Sequence, residues 1–208
     1  MANVLTALAV SVDGFIAGPD DSTEQPLGKS GSRLFDWFFQ GDTPSKFYRQ
    51  FQMSALSARF FDTFTSRCGA IITGRRTYDL VNGWSGTGPL PGAPLFVLTH
   101  SEPVEPPAGD PPYVYVTDGI ESAVEQAKAA AKEKDVGVMG SAGVQQCLRS
   151  GLLDEIHLHL VPVLLGSGIR LLDHLGPDLI ELECIGVVDA PGVTPLSYRV
   201  QRDESGRS

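Results

Sequence analysis

Apolar residues fall along the chain in short runs cut by glycine, proline and polar clusters, a pattern of many brief elements rather than long helices. Residues 4–10 form a short apolar run rich in alanine, leucine and valine that stops at the turn signature Ser11-Val12-Asp13-Gly14. Residues 15–18 follow as a second short run, and residues 19–32, rich in glycine and serine, read as loop. Residues 68–74 predict a buried strand ended by glycine, 75–81 a helix, 83–92 a loop and 94–99 a strand. A proline-rich crossing over 103–112 precedes a strand at 113–116. Residues 120–132, with five alanines, predict a helix capped by Asp118. A strand over 136–139, a turn over 140–143 and a short helix over 144–149 come next. After that the alternation ends: 155–165, 180–189 and 197–201 read as strands with no crossover helix between them. The pattern predicts an α/β fold, a mainly parallel sheet covered by helices, with antiparallel strands at its C-terminal end.

Eight of the ten phenylalanines lie between Phe35 and Phe64, together with Trp37 and Tyr48. Phe47/Phe51 and Met53/Leu56/Phe60/Phe64 recur at helical spacing, which predicts an amphipathic helix through at least the second half of this segment. Most of these rings belong to a core or to a cover over the sheet edge. Trp37 and Phe38 are the candidates for stacking on a flat heterocyclic substrate.

Composition narrows the functional classes. The chain has 208 residues, a length that favours one domain, here residues 1–202 with 203–208 as a frayed tail. Its net charge of −9 argues against nucleic acid and against anionic lipid as partners. Cys68, Cys147 and Cys184 cannot all pair with one another and form no C-x-x-C motif, so neither a disulfide framework nor structural zinc is expected. No apolar run approaches the ~18 residues of a membrane span, and a cytoplasmic setting is expected. His157 and His159 share one face of a strand; with no third ligand nearby they are expected on a packed or subunit-facing surface rather than on a metal.

Two segments share one grammar of apolar strand, glycine turn and helix start: Ile71 to Tyr78, and Val138 to Val144. At such turns free backbone amides, the helix dipole and the small size of glycine favour an anion. Arg75 and Arg76 add charge to the first turn and Thr77 adds a hydroxyl. Neither the G-x-G-x-x-G fingerprint nor the Walker and G-x-S-x-G motifs occur, so a dinucleotide held here needs a non-Rossmann arrangement.

The segments Ala7-Leu-Ala-Val-Ser-Val-Asp-Gly-Phe-Ile-Ala-Gly18, Thr73-Gly-Arg-Arg-Thr-Tyr78 and Leu152 to Gly168 resemble the dihydrofolate reductase superfamily. The resemblance is closer to its branch containing the reductase domain of the bifunctional riboflavin-biosynthesis deaminase-reductase, and it runs in order over about residues 2–201. It implies a three-layer αβα fold, NADPH and hydride transfer. Gly74, Arg75, Arg76 and Thr77 match the turn that holds cofactor phosphates, and Thr99 and His100 match the stretch at the adenosine ribose and its 2′-phosphate. Gly140, Ser141, Ala142, Gly143 and Val144 match the second phosphate-facing turn, and Ala7 and Ile16 the positions flanking the nicotinamide. The branch has an Asp-Gly pair after its first strand, matched by Asp13-Gly14, which makes Asp13 the candidate for substrate binding or proton relay. Ser141 stands where the family often has a second glycine, joined in dihydrofolate reductases by a cis peptide, so a trans turn or an altered cofactor geometry is expected here.

The function implied is reduction of a small heterocyclic or sugar-derived substrate, of the 5-amino-6-ribosylaminouracil reductase type or undefined. The alternatives are a noncatalytic NADPH-binding, dimerising protein on the same scaffold and a true dihydrofolate reductase. The resemblance also implies a homodimer, for which the apolar stretch Val161-Pro-Val-Leu-Leu165 is the candidate interface.

Overall fold

The computed structural model describes residues 2–201, so the tail expected over 203–208 lies outside the described residues. In chain order the elements are β1 (Val4–Ser11), β2 (Phe15–Ala17), β3 (Thr43–Pro44), β4 (Gln52–Met53), α1 (Ala55–Arg67), β5 (Cys68–Gly74) and α2 (Arg75–Leu80). There follow β6 (Leu95–Leu98), β7 (Val114–Val116), α3 (Ile120–Ala131), β8 (Asp135–Met139) and α4 (Ser141–Arg149). The last strands are β9 (Glu155–Val161), β10 (Ile169–Arg170), β11 (Leu182–Val187) and β12 (Thr194–Val200). Eight strands form one sheet in the order β11-β12-β9-β1-β8-β5-β6-β7. β9 through β7 run parallel, and β12 and β11 add antiparallel pairs at one end, as the strand pattern predicts.

Helices cover both faces. On one, α3 lays Ile120, Ala123, Val124, Ala127 and Ala131 against Ala70, Ile72, Val136 and Val138. Its alanines, four residues apart, let the helix approach the sheet closely. On the other face, Phe60, Phe61 and Phe64 of α1 join a 3-10 helix over Gly31–Phe39 in an aromatic layer over β1 and β9.

Three local expectations are corrected. Phe47 and Phe51 are not on a helix: the Ser45 hydroxyl accepts the amides of Phe47 and Tyr48 and donates to Asp62, which turns the chain between β3 and β4. The cap of α3 is Gly119 at φ 106, with no side-chain bond, rather than Asp118. The turn over 140–143 shrinks to Gly140, because α4 begins at Ser141.

His157 and His159 are both buried, on the face covered by α1. His157 bonds Glu155 and Ser197 at 2.8 Å each, and Arg67 links Glu155 to Asp135. His159 sits between the rings of Trp37 and Phe60, and its Nε2 has no hydrogen-bond partner. Burial pushes His157 below the ordinary imidazole range, and burial with the His157 charge pushes His159 down to about 3. Unfolding frees both rings to bind protons below about pH 6.5. Their contribution to stability is therefore complete above that pH and is lost progressively as pH falls from about 6.5 toward 3. Urea unfolding between about pH 7 and 5 should show a falling free energy, and His159→Leu should make that fall shallower; an unchanged slope in the variant contradicts this account.

Candidate active site

The parallel strands β1, β8, β5 and β6 end along one side of the sheet, and a cavity of about 930 Å³ opens there. Its position, at the carboxyl ends of parallel strands, is where open α/β sheets bind ligands. The register pairs Thr73 of β5 with Met139 of β8, so Gly74 and Gly140 leave the sheet side by side. Each is followed at once by a helix, α2 at Arg75 and α4 at Ser141. Gly140 has φ 81 and ψ 149, a region close to glycine-only, and a Cβ there would stand 2.9 Å from the Thr77 hydroxyl oxygen. The Gly140–Ser141 peptide is trans; among the described residues the cis peptide is Asp110–Pro111. Beside Gly74 lies open space, with nothing within 4 Å of a Cβ built there.

Arg75 is fixed before any ligand arrives. Its Nε donates to both oxygens of Asp79, at 2.8 and 2.9 Å, and one terminal nitrogen, Nη1, to the Ser101 carbonyl at 2.9 Å and the Thr99 hydroxyl at 3.3 Å. Arg76 reaches across to Asp21, with contacts of 2.5 and 3.1 Å, and this carboxylate raises the guanidinium pKa further. Asp21 belongs to the loop between β2 and the 3-10 helix. That loop is held by Gly18 N–H to Leu27 O at 2.8 Å and Lys29 N–H to Pro19 O at 2.7 Å. A Cβ at Gly18 would strike the Lys29 backbone, and one at Gly28 the Gly18 carbonyl, so the two sides of the loop lie in direct contact.

Of the residues anticipated from the sequence, Ile16, residues 74–77, Thr99, His100 and residues 140–143 lie on the cavity wall. Ala7 does not, although Leu8 and Ala9 of the same strand do, and Val144 is fully buried in the core. Trp37 and Phe38 stack on each other at 4.0 Å between ring centres inside the aromatic layer, and burial leaves neither open to a ligand. Asp13 is not on the wall either. Its carboxylate accepts the Ser11 hydroxyl at 2.6 Å and the amides of Gly166 and Leu165 at 2.7 and 3.1 Å, tying the β1–β2 turn to the segment after β9. The Ser11 bond foremost, with the two amides, draws Asp13 down to about 2. A group this acidic is a poor proton donor near neutral pH.

Among the wall residues that escape the sequence reading are Asp21, Phe35 and Trp84. Trp84 is carried on a left-handed turn, with φ of 46, 56, 52 and 53° at Asn82, Gly83, Trp84 and Ser85. Each non-glycine residue there costs about 1–2 kcal/mol. The turn is braced by the Tyr113 hydroxyl donating to the Gly83 carbonyl, with Tyr78, Tyr113 and Pro107 packed on Gly83 and Asp110 N–H bonded to the Gly86 carbonyl at 2.9 Å. The Asn-Gly pair at 82–83 is the one local signal for it.

An eight-stranded, mainly parallel sheet with an antiparallel end and a cavity between two glycine turns defines a dihydrofolate reductase-like α/β protein. Residues 2–192 match the RibD C-terminal domain, and the chain belongs to that family. Among solved structures, a candidate riboflavin biosynthesis protein from Shewanella sp. PV-4 superposes with a TM-score of 0.70 at 23% identity, covering 97% of this chain and 100% of that one. RibD of Acinetobacter baumannii gives 0.61 at 15% identity over 97% of this chain and 58% of its own. A diaminohydroxyphosphoribosylaminopyrimidine deaminase/5-amino-6-(5-phosphoribosylamino)uracil reductase from Thermotoga maritima gives 0.56 at 14% identity over 96% of this chain and 57% of its own. The chain thus spans little more than half of those two longer proteins. No curated protein matches the sequence. Among the described residues no group of side chains is arranged to hold a metal, and no helix is long and apolar enough to cross a membrane.

The geometry at Gly140 is open to direct test. Gly140→Ala should lower stability by about 1–3 kcal/mol in chemical denaturation because of its backbone conformation. The Thr77 hydroxyl can swing away from the new methyl, so adding Thr77→Ala should not restore the loss.

Proposed function

We propose that the protein is an NADPH-dependent oxidoreductase that reduces a C=N or C=O group of a small heterocyclic or sugar-derived substrate. The observation that carries this reading is the β5–β8 register, which sets two glycine turns side by side with Arg75 already held at the end of β6. The residues present fit the cofactor. Gly74 leaves open space, Gly140 keeps its Thr77 neighbour clear of a side chain, and the residues opening α4 line the same cavity. Two phosphate groups need two such turns, and a charge-assisted fork suits a third phosphate on the ribose.

NADPH bound there supplies the hydride; the protein supplies position and electrostatics. Arg75, with Thr99 and His100 beside it, would hold the ribose phosphate, and Thr77 and Ser141 would donate hydroxyls to the pyrophosphate. Leu8, Ala9 and Ile16 would form the apolar bed for the nicotinamide and keep water from it. Asp13 takes no part in this scheme; it fixes the turn from which Ile16 projects.

NADPH is expected to raise the melting temperature of the protein. Arg75→Ala should weaken NADPH about tenfold or more and narrow its advantage over NADH. No melting shift with NADPH at millimolar concentration, or an unchanged NADPH/NADH ratio in the variant, counts against the reading.

The same reading places the protein in the cytoplasm, in keeping with three unpaired cysteines, and as a homodimer. In support of the dimer, β11 is the outermost strand and leaves Leu182, Ile185 and Val187 exposed. The apolar stretch 161–165 leaves the sheet after Val161, so the edge strand is the better candidate surface. Sedimentation equilibrium at micromolar concentration should report twice the chain mass, and Val187→Lys with Ile185→Lys should report a monomer. A wild-type protein that is monomeric removes the proposal.

A further inference from the structure

Arg75 and Arg76 are neighbours at the start of α2 and both line the cavity, yet different parts of the chain hold them. Arg75 keeps to Asp79 of its own helix and to Thr99 and Ser101 beyond β6. Arg76 is taken by a carboxylate 55 residues away in sequence, Asp21, which also lines the cavity. Its Nε and Nη2 donate to the two oxygens of Asp21, at 3.1 and 2.5 Å. This paired contact is the one arginine makes to carboxylate and to phosphate alike.

The pair is unequal in exposure: the Arg76 side chain is 67% exposed and that of Asp21 9%. The guanidinium therefore loses little by turning to another anion. The carboxylate left behind, with most of its surface out of water, loses its compensating charge, and that is costly. Asp21 is also poorly able to follow Arg76. Immediately after it Ser22 and Gln25 exchange both backbone hydrogen bonds at 3.1 Å, and the Gln25 side chain donates to the Gly28 carbonyl at 2.9 Å. With the Gly18–Leu27 and Pro19–Lys29 bonds, these fix the loop against itself.

We propose that Asp21 is a built-in competitor of the ligand's phosphate: it occupies the Arg76 guanidinium through the contacts a phosphate would make, so that a phosphate-bearing ligand gains Arg76 only by releasing Asp21. This inference rests on the reading of residues 74–77 as a phosphate-holding turn. Asp21 has two effects on Arg76, orienting it and engaging its charge. Asn in its place still accepts a hydrogen bond from the guanidinium and keeps the orientation, while the competing charge is gone. Removing the charge at position 21 therefore strengthens phosphate binding, the opposite of what the loss of a contact or of a positioning residue does.

The test measures the binding of NADPH, and separately of inorganic pyrophosphate, by titration calorimetry at fixed ionic strength. The proteins are the wild type, Asp21→Asn, Arg76→Gln and the double variant, each checked for folding by its melting curve. Asp21→Ser serves as the neutral replacement if Asp21→Asn does not fold. Asp21→Asn should bind both anions about three- to fivefold tighter than the wild type, the scale of a partly exposed ion pair. With Arg76→Gln in the background, most of that gain should vanish. NADPH affinity that is unchanged or lower in Asp21→Asn overturns the inference and leaves the cofactor reading standing. A gain that persists in full without Arg76 also overturns it, because Asp21 then acts by simple repulsion. If pyrophosphate tightens as expected while NADPH binds neither protein, the cofactor reading fails and the competition survives it. Failure of both anions to bind at millimolar concentration overturns the two together.

Discussion

The pairing of Thr73 with Met139 across β5 and β8 is the constraint from which the site follows. Parallel strands in this register must deliver Gly74 and Gly140 to the same edge, and neither has a loop to spare before its helix begins. The residues at the two helix starts therefore line a common space, and that space has room because neither glycine carries a side chain. A slip of one residue would turn every side chain of the strand to the other face. It would also replace Gly140 by Met139 or Ser141 beside Thr77.

Much of this was legible in the sequence because it is local. Glycine at the end of an apolar run, followed by helix-forming residues, marks β5–α2 and β8–α4 without reference to the rest of the fold. The α3 helix and the antiparallel end of the sheet are likewise written in spacing and in the lack of crossover helices. What the sequence hides is decided by long-range contact. Phe47 and Phe51 have helical spacing, yet the Ser45–Asp62 hydrogen bond settles the segment otherwise. Asp13 looks like chemistry in an Asp-Gly pair until two amides from residues 165 and 166 arrive to use it. Trp37 and Phe38, chosen for size and flatness, are consumed by the core, and the rings that reach the cavity are Phe35, two places earlier, and Trp84, in a loop without periodicity.

Charge shows the same separation of scales. A net charge of −9 describes the surface as a whole, yet the cavity wall carries two arginines against one carboxylate. Each arginine has a partner already, so each is positioned without a ligand present. Orientation settled in advance lowers the entropy that binding must overcome.

The loop that carries Asp21 is one whose two sides touch backbone to backbone at Gly18 and Gly28. Such a segment moves as a plate or not at all. The left-handed turn under Trp84 is braced as well, by Tyr113 on the Gly83 carbonyl. Between these stiff edges the Arg76–Asp21 ion pair, largely exposed on the arginine side, is a clasp whose strength depends on the surrounding electrolyte. The part of this edge that its surroundings can alter is the ion pair rather than the backbone. Dissolved salt therefore acts on this edge through one exposed guanidinium, loosening its hold on Asp21 while the glycine contacts stay as they are.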